Sequence, residues 1–534
     1  MKRVVIIGGG ITGLAAAHRI LERTRESGEQ VALTLLEAGP QMGGIVQTRE
    51  CEGFLLENGP DSFISEKPAA LELVKRLGLE SHLIETNEKY RRSFVVRRGR
   101  LLPVPEGFHL IAPSRFWPFV KSEIFSWTGK ARMALDFVLP RNKLNSAADD
   151  DGGRNIDESL AQFVRRRLGR EALERMAQPM VGGIYTADPE QLSLRATMPR
   201  FLEMEREHRS LIRALRKQGS SPTPGPPRGQ PAWGGTVRGG AVMAQGTSGA
   251  RYSLFLSFDR GMQLLTGKLE ARILDFRSQI SNTQSQISAD GSSPRISLKV
   301  NTAVESLIVD RELTGNNEAP KWKLKTNRGE PLVADAVCLA LPAYVSAHLL
   351  SSVDAQLASE LNGIPYASST TINLGYKRED IPHPLDGFGF VVPFIERRSL
   401  IACTFSSVKF PGRAPQGRAL LRVFVGGALQ PEMFNLSRDD LLTRVCADLR
   451  DLLRIEQAPL FAEVSKWERS MPQYHLGHLE RVRRINERLA SLPGLTLAGN
   501  AYSGLGIPDC IRSGEAAADD LIGRRQPVGW PTID

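Results

Sequence analysis

Three glycines near the start of the chain have the spacing that lets a main chain approach a phosphate. Gly8, Gly10 and Gly13 form a G-x-G-x-x-G pattern between the apolar residues 4–7 and an Ala-rich stretch. Gly8 would permit a tight turn, Gly10 would let the backbone reach a pyrophosphate, and Gly13 would let helix and strand pack closely. The free N–H groups of the helix start would then face a doubly negative ligand. The pattern predicts a bound dinucleotide, but not which one.

The elements around these glycines must form a strand–helix–strand unit. Residues 4–7 and 31–36 are predicted to be strands, and the helix lies between them, with Leu14 to Ile20 at its centre. The second strand ends at Glu37, where an acidic side chain accepts hydrogen bonds from an adenosine ribose. Because strand, glycines, helix, strand and acid follow one another in order, an ordinary Gly-rich turn is a poor explanation.

The length of 534 residues predicts two or three domains, and the composition is that of a folded protein. Five cysteines without a C-x-x-C pair argue against a zinc site, an iron–sulfur cluster or a disulfide framework, and suit a reducing compartment. No stretch reaches the ~18 continuous apolar residues of a membrane span, and the first residues do not form a signal peptide. We therefore expect a cytoplasmic protein without a metal site.

The net charge of +10 leaves the partner open. A nucleic-acid partner is not expected, because the basic residues do not form a tract with interleaved aromatic residues. An anionic membrane surface and an anionic substrate fit the charge equally well. A solvated basic surface explains it without any partner.

A second Gly-rich turn between a strand and a helix lies near the end of the chain. Residues 495–497 are a predicted strand, Ala498-Gly499-Asn500 begins the loop, and residues 510–521 form the next helix. The helix start near Asp509 could also direct N–H groups at a ligand. We therefore expect both chain ends to contribute to one sheet.

The middle of the chain contains helices, strands and three predicted loops. A helix is predicted over Lys67 to Leu83, with Gly78 as its stop, and residues 105–215 are largely helical. The loops are 145–154, 219–249 and 281–293. Further strands are predicted at 302–309 and 336–341. Strand-like runs at 371–376, 389–392 and 420–425 alternate with turns and indicate a sheet that roofs a cavity.

One predicted helix of the helical region has an apolar face beside basic residues, and this pattern has two explanations. Asn155 and Glu158 have the spacing of a capping box, and Leu160, Phe163, Val164 and Leu168 recur at helical spacing beside three arginines, 165–167. A core-facing helix is the favoured explanation. A basic amphipathic face resting on lipid is the alternative.

Several motifs carry a resemblance to known families. Residues 8–13, Glu37, and Gly43-Gly44 with Thr48 resemble the monoamine-oxidase-like flavoproteins, in which the dinucleotide is FAD. Gln41 stands where that superfamily usually has Arg, which removes one cation near the pyrophosphate. More specific segments resemble the oxygen-dependent protoporphyrinogen and coproporphyrinogen oxidases of bacterial type. These segments are Gly59-Pro60-Asp61-Ser62-Phe63, Gly183-Ile184-Tyr185, Pro384 to Gly389, Phe405-Ser406-Ser407, Pro472-Gln473-Tyr474 with Gly477-His478, and Ala498 to Ile511.

The resemblance implies an α/β fold in three parts. The first is a Rossmann-like FAD-binding domain from both chain ends, over 1–85, 250–345 and 485–525. The second is a mainly helical insertion domain at 105–215, which often meets the membrane in this family. The third is an α+β substrate-binding domain at 346–484 with 86–104, and 219–249 is a flexible loop.

The resemblance also assigns residues by position. The implied FAD contacts are Gly8, Gly9, Gly10, Ile11, Thr12, Gly13, Glu37, Ala38, Gly44, Ile45, Gly59, Pro60, Asp61, Ser62, Val304, Asn500, Leu505, Gly506 and Ile507. The substrate candidates are Arg92, Ser93, Gly183 and Phe388. No catalytic base stands out, and Asp61 and Asn500 are its only candidates. His475 and His478 form an H-x-x-H pair without a third ligand, so a structural role is expected.

The implied reaction is the six-electron oxidation of a porphyrinogen in haem biosynthesis. FAD would take each pair of electrons and pass it to O2, giving hydrogen peroxide. Coproporphyrinogen III and protoporphyrinogen IX both remain open as substrates, as do peripheral contact with the inner face of the cytoplasmic membrane, handover to a chelatase and the oligomeric state. The alternatives are an FAD-dependent amine oxidase or carotenoid desaturase, and a non-catalytic FAD-binding module.

Overall fold

The computed structural model describes residues 1–141, 157–220, 255–284, 296–310 and 321–523. The loop predicted at 145–154 lies outside the described residues, as do most of those at 219–249 and 281–293. Where these loops overlap the described chain, the prediction is wrong. Residues 219–220 end one helix, Leu211–Ser220, and residues 281–284 end another, Gln263–Gln284.

The strands follow one another along the described chain in this order: β1 (Lys2–Ile7), β2 (Val31–Leu36), β3 (Thr48–Cys51), β4 (Phe54–Glu57), β5 (Phe63–Ile64), β6 (Leu83–Glu85), β7 (Phe94–Arg97), β8 (Arg100–Pro103), β9 (Phe108–His109), β10 (Ala112–Pro113), β11 (Phe255–Phe258), β12 (Ile296–Lys299), β13 (Val304–Asp310), β14 (Lys321–Thr326), β15 (Leu332–Ala334), β16 (Ala336–Leu339), β17 (Tyr366–Lys377), β18 (Gly389–Val391), β19 (Leu400–Phe405), β20 (Arg418–Gly426), β21 (Phe461–Pro472) and β22 (Leu495–Leu497).

The α-helices are α1 (Ile11–Ser27), α2 (Pro68–Leu77), α3 (Phe116–Lys121), α4 (Trp127–Ala134), α5 (Leu160–Arg167), α6 (Arg170–Ala172), α7 (Gln178–Tyr185), α8 (Leu194–Thr197), α9 (Pro199–His208), α10 (Leu211–Ser220), α11 (Gln263–Gln284), α12 (Ala343–Leu350), α13 (Ala355–Asn362), α14 (Ser406–Lys409), α15 (Arg438–Leu453), α16 (His478–Leu489) and α17 (Ile507–Leu521). A π-helical turn, Leu173–Ala177, joins α6 to α7. Within the described ranges, no helix is both long and apolar enough to cross a membrane.

A parallel sheet unites the two ends of the chain. Its strand order is β12-β2-β1-β16-β22, and every neighbouring pair is parallel. Along β1, Val4 and Ile6 pack towards α1, α11 and α17, whereas Val5 and Ile7 pack towards α12 and α13. Successive side chains of a strand point to opposite faces, so apolar runs of this kind are buried on both sides.

A seven-stranded sheet forms a second layer, with the order β21-β17-β20-β19-β18-β7-β8. Its pairs are antiparallel except β18 with β7. Ile372 and Val423 belong to the face that packs on α15. On the opposite face, Val95 belongs to the core of the helical region, and Asn373 donates a hydrogen bond to the main chain of Glu57. This sheet therefore borders both the helices and the parallel-sheet unit.

The helical region has its own core, and α5 supplies part of it. Leu160, Phe163 and Val164 are fully buried in this core and Leu168 almost so. The core explanation of this face is therefore confirmed, and the lipid alternative is wrong for it. Arg167 is also buried, because its guanidinium donates to a carboxylate oxygen and to main-chain oxygens of the same core.

Two predicted helix ends are corrected. The capping box of α5 consists of Ser159 and Gln162, so the helix begins later than the spacing of Asn155 and Glu158 predicts. The helix predicted over Lys67 to Leu83 is α2, which ends at Leu77. Gly78 follows in a left-handed conformation with φ 68°, and the chain then turns away. Gly78 is thus the stop that the sequence indicates, and the residues after it do not continue the helix.

Close packing of α1 against α17 leads to a first prediction. A methyl group at Gly514 of α17 would lie 2.2 Å from the Thr12 carbonyl oxygen of α1. Gly514→Ala should push the two helices apart and lower the free energy of unfolding by about 1–3 kcal/mol. Chemical denaturation measures this change. Gly267→Ala is the control, because Gly267 lies on the exposed side of α11 with no atom within 4 Å of the added methyl group. Equal destabilisation by both changes would contradict the prediction.

Candidate functional site

The first glycine turn leaves the start of α1 open. A Cβ at Gly13 would lie 1.9 Å from the Gly8 carbonyl oxygen, so only glycine allows the turn to approach the helix this closely. Gly10 is the N-cap of α1 and supplies no capping side chain. A Cβ at Gly10 would meet no atom within 4 Å. The first N–H groups of the helix therefore remain available to an anion outside the turn.

Glu37 lies beside this turn at the end of β2. Its Oε2 accepts a hydrogen bond from the Gly9 N–H and its Oε1 from the Gly39 N–H, both at 2.7 Å. Each carboxylate oxygen keeps a further lone pair, which suits the hydroxyls of a ribose. The next residue, Ala38, is exposed. The Thr302 N–H donates to the Glu37 carbonyl oxygen, and the half-buried Val304 begins β13 two residues later.

The second glycine pair meets the first glycine turn. Gly43 donates its N–H to the Gly9 carbonyl oxygen at 2.8 Å. A Cβ at Gly44 would lie 3.1 Å from the Gly10 Cα, and Gly44 has a left-handed φ of 59°. The next residue, Ile45, is 43% exposed. These contacts bring the predicted pyrophosphate segment, residues 8–13, together with 43–45.

Residues 59–62 extend the site from there. A Cβ at Gly59 would lie 1.7 Å from the Ile45 carbonyl oxygen, so the two segments touch. Pro60, Asp61 and Ser62 are half-buried. The segment rests on the seven-stranded sheet, because the Thr371 hydroxyl of β17 donates to the carbonyl oxygen of Asn58, the residue before Gly59, at 2.8 Å.

The closing turn near the chain end provides a second open helix start. Gly506 is the N-cap of α17 and, like Gly10, supplies no capping side chain. Ile507 is buried, and Cys510 in the first turn of α17 is hydrogen-bonded to Thr12 of α1, which brings the two helix starts together. Asn500 and Leu505 are half-buried in the turn before α17. Two uncapped helix starts, bare glycines and the Glu37 carboxylate fit a dinucleotide whose pyrophosphate is doubly negative.

Asp61, a candidate base, is held by cations. Lys409 Nζ lies 2.8 Å from its Oδ2, and Arg422 Nη1 lies 3.9 Å from the same atom. The Ser62 hydroxyl donates to Oδ1 at 2.7 Å. Burial alone would raise the pKa of Asp61, but the two cations outweigh it and hold the pKa below its ordinary value. Such a carboxylate is a poor proton acceptor, and its geometry is that of a positioning group.

Sequence reasoning missed the two cations. Lys409 ends α14 and Arg422 lies within β20, far along the chain from Asp61. Arg422 is 4% exposed and also donates to the Gly59 carbonyl oxygen. The available signal was a single arginine inside the apolar run Leu420 to Val425, because a charge on a buried strand needs a partner.

Glu57 is a further buried carboxyl that the sequence analysis did not single out. It accepts hydrogen bonds from the Met262 N–H and the Thr48 hydroxyl, each at 2.8 Å. Burial raises its pKa to about 7 despite these bonds. The contacts fix the end of β4, and hence residues 59–62, against the start of α11.

The substrate candidates lie at one border of the seven-stranded sheet. Arg92 is ion-paired with Asp386, and its carbonyl oxygen accepts the Phe388 N–H at 2.8 Å. Phe388 and Ser93 are 3% and 7% exposed. Gly183 is exposed on α7, where a Cβ would lie 3.6 Å from Val391 Cγ1 on β18. The structure thus brings α7 close to the strand that follows Phe388.

A cavity of about 610 Å³ opens between β3 and β21. Its lining is mainly polar and includes Gln41, Gln47, Asn58, Gln263 and Trp467. Gln41 therefore faces open space beside the glycine pair, at the position where an arginine was expected from the resemblance.

A comparison with known proteins shows the family of this chain. A model of the flavin-containing amine oxidoreductases matches residues 11–522. The chain belongs to this family. It is 34% identical to coproporphyrinogen III oxidase of Bacillus subtilis strain 168, over 98% of both chains. It is 28% identical to the chloroplastic protoporphyrinogen oxidase of Nicotiana tabacum, over 97% of this chain and 85% of that one.

A solved structure has the same fold. It comes from Exiguobacterium sp. 255-15, was provisionally assigned as a protoporphyrinogen oxidase, and superposes with a TM-score of 0.76. Its sequence is 28% identical, and the match covers 97% of this chain and 98% of that chain.

Membership in this family confirms the cofactor predicted from the sequence, which is FAD, and makes the chain an oxidoreductase. When bound, FAD supplies a ring that accepts two electrons from the substrate. The protein's part is to hold and orient that ring.

The half-buried ion pair of Asp61 and Lys409 gives a second prediction. Lys409→Met removes one of the two cations and leaves a half-buried carboxylate with a single distant partner, so residues 59–62 should shift. We expect FAD to bind the apo-protein about tenfold more weakly, with unfolding about 1–3 kcal/mol easier. Flavin fluorescence titration and urea denaturation measure the two effects.

Lys377→Met is the matched control for this change. Its ammonium group lies 3.9 Å from Glu379 in an exposed pair, which contributes little to stability. If both variants bound FAD as the unaltered protein does, the assigned role of Lys409 would be wrong.

Proposed function

We propose that this chain oxidises a porphyrinogen to a porphyrin with FAD as the electron acceptor and O2 as the final oxidant. Six hydrogens leave the substrate in three two-electron steps, and three O2 become three H2O2. The observation that carries the proposal is the 34% identity to a coproporphyrinogen III oxidase over nearly the full length of both chains. The porphyrinogen-oxidase motifs, which run in order from Gly59 to Ile511, support it.

In this proposal the FAD contacts are those inferred from the sequence. Residues 8–13, 44 and 45 would hold the pyrophosphate, Glu37 and Ala38 the adenosine ribose, and Val304 the adenine side. Residues 59–62, 500 and 505–507 would hold the flavin end. The support is geometric, because these segments meet around two uncapped helix starts. Neither weak candidate suits the role of base. Asp61 is ion-paired, and the Asn500 amide does not accept a proton.

The substrate that we propose is coproporphyrinogen III, with protoporphyrinogen IX as the second choice. The Bacillus relative, at 34% identity, is named coproporphyrinogen III oxidase. The Nicotiana relative, at 28% identity, is named protoporphyrinogen oxidase. Coproporphyrinogen III has four propionates, which suits a chain with a net charge of +10. Ser93, Gly183 and Phe388 would border the macrocycle, and Arg92 would lie at its edge, where Asp386 already pairs with it.

We also propose that the protein is cytoplasmic and contacts the anionic inner face of the cytoplasmic membrane peripherally. The helical region exposes large apolar side chains, between 47% and 73% accessible, at Phe116, Trp117, Trp127, Leu135 and Val138. Lys130 sets α4 beside α3, because its ammonium group lies 4.4 Å from the Trp127 ring and donates to the Val120 carbonyl oxygen. Exposed tryptophans beside exposed cations, here Arg115 and Lys121, suit a lipid interface. The porphyrin product would then pass to a chelatase at the membrane surface.

The proposed reaction is tested with the purified holoenzyme and three classes of substrate. Coproporphyrinogen III should give porphyrin fluorescence and O2 consumption at least about tenfold faster than protoporphyrinogen IX, since one lost charged contact costs about 1.4 kcal/mol or more. Faster turnover of protoporphyrinogen IX would contradict the proposed substrate and make protoporphyrinogen IX the substrate instead. Oxidation of amines without any porphyrin would favour the amine-oxidase alternative.

The membrane proposal predicts a loss of vesicle binding. Replacing Trp117 and Trp127 by serine should weaken co-sedimentation with phosphatidylglycerol vesicles by about tenfold, because two interfacial aromatic side chains no longer insert. Leu460→Ser is the control, since it removes an exposed apolar side chain before β21 instead. Unchanged binding of the tryptophan variant, or no binding by the unaltered protein, would contradict the proposal.

A further inference from the structure

The short segment Gln473 to His478, here called the junction segment, connects β21 to α16 and contacts two other parts of the fold. On one side lies the helical region. On the other side lies the closing turn, residues 499–506, that leads into α17. The junction segment includes the two histidines of the H-x-x-H pair, which the proposed reaction leaves without a role.

On the helical side, the junction segment is held by hydrogen bonds along its length. The Ser193 N–H donates to the Tyr474 carbonyl oxygen at 2.8 Å, and the Gln473 amide donates to the Tyr185 carbonyl oxygen at 3.2 Å. The Gly477 N–H donates to Asp157 Oδ2 at 3.0 Å. These bonds fix the Tyr474 main chain before its side chain meets the closing turn.

On the other side, the Tyr474 hydroxyl joins the two ends of the closing turn. It donates to the Asn500 carbonyl oxygen at 2.6 Å and accepts the Gly504 N–H at 2.8 Å. Tyr474 is 3% exposed, so both bonds are shielded from water. The turn itself has glycines with positive φ at 499 and 504, and such residues do not hold one conformation unaided.

His478 supports the Tyr474 ring. The two rings are stacked, with centroids 3.9 Å apart and planes 11° from parallel. Burial lowers the pKa of His478 to about 4, so the imidazole is neutral at physiological pH. Its Nε2 lies 3.2 Å from the Tyr502 carbonyl oxygen, and it must carry the hydrogen to donate there. A third point of the closing turn is thereby fixed.

We propose that Tyr474 is a positioning residue for FAD: its hydroxyl holds residues 500–504 in the conformation that receives the flavin. The inference rests on the proposed place of Asn500 beside the flavin. A side chain locked by packing, and by main-chain bonds to a second unit, is what a preorganised site requires. The hydroxyl therefore acts through the closing turn and not on the substrate.

The test is Tyr474→Phe, which keeps the ring and its stacking but removes both hydroxyl bonds. Apo-protein of each variant is titrated with FAD, and the visible spectrum of the bound flavin is recorded. We expect the FAD dissociation constant to rise about tenfold, with an altered flavin spectrum. With FAD saturating, kcat should fall while KM changes little, since the substrate border is intact.

Tyr376→Phe is the matched control. It removes another buried tyrosine hydroxyl, bonded to Cys446 between β17 and α15. It should lower thermal stability about as much as Tyr474→Phe and leave FAD affinity unchanged. Equal FAD affinity in Tyr474→Phe and the unaltered protein, or equal weakening in both variants, would overturn the proposal.

A measurement on the unaltered apo-protein covers the case in which Tyr474→Phe does not fold. Hydrogen exchange at the Gly504 amide should be slow, because its acceptor is the Tyr474 hydroxyl; rapid exchange would contradict the proposal. The FAD titration, the flavin spectrum and the hydrogen exchange need no porphyrinogen. A protein that binds FAD as expected but oxidises no porphyrinogen would refute the proposed function and leave this inference standing.

Discussion

The parallel pairing of β1 with β16, and of β16 with β22, is the constraint on which the rest of the structure depends. Parallel neighbours cannot be joined by a tight turn, so the chain must leave the sheet and return between them. It does so over long distances, and the seven-stranded sheet and the helical region are built within these excursions. The return of β22 leads into α17, whose Cys510 is hydrogen-bonded to Thr12 at the start of α1.

Burial of charge is the second requirement of this architecture. Asp61 lies between Lys409 and Arg422 where the parallel-sheet unit meets the seven-stranded sheet, and Arg167 is paired with Asp136 inside the helical core. Removing ions from water is costly, and a buried ion remains tolerable only when its partners are in place. The contacts of Asp61 therefore specify how the two units are joined, more than they add to stability.

Much of the nucleotide end of the site follows from local sequence. Gly8, Gly10 and Gly13 predict their turn because the requirement for glycine arises within a few residues, and Glu37 follows from the end of the next strand. The start of α5 was predicted too early, because the Asn155 and Glu158 spacing competes with Ser159 and Gln162, and packing selects the second pair. The basic pattern of α5 gave no sign that Arg167 would be wholly buried, since its partner Asp136 comes from another helix.

The sequence by itself determined the glycine turns, the FAD family and most strands of the parallel sheet. It did so because close backbone approach and period-two burial leave their mark within a few neighbouring residues. Only the tertiary structure decided which side chains meet across the site. Lys409 and Arg422 enclose Asp61, and the Tyr474 hydroxyl joins Asn500 to Gly504, through contacts between residues far apart in the chain. Such contacts depend on how whole units dock, and no local spacing encodes that docking.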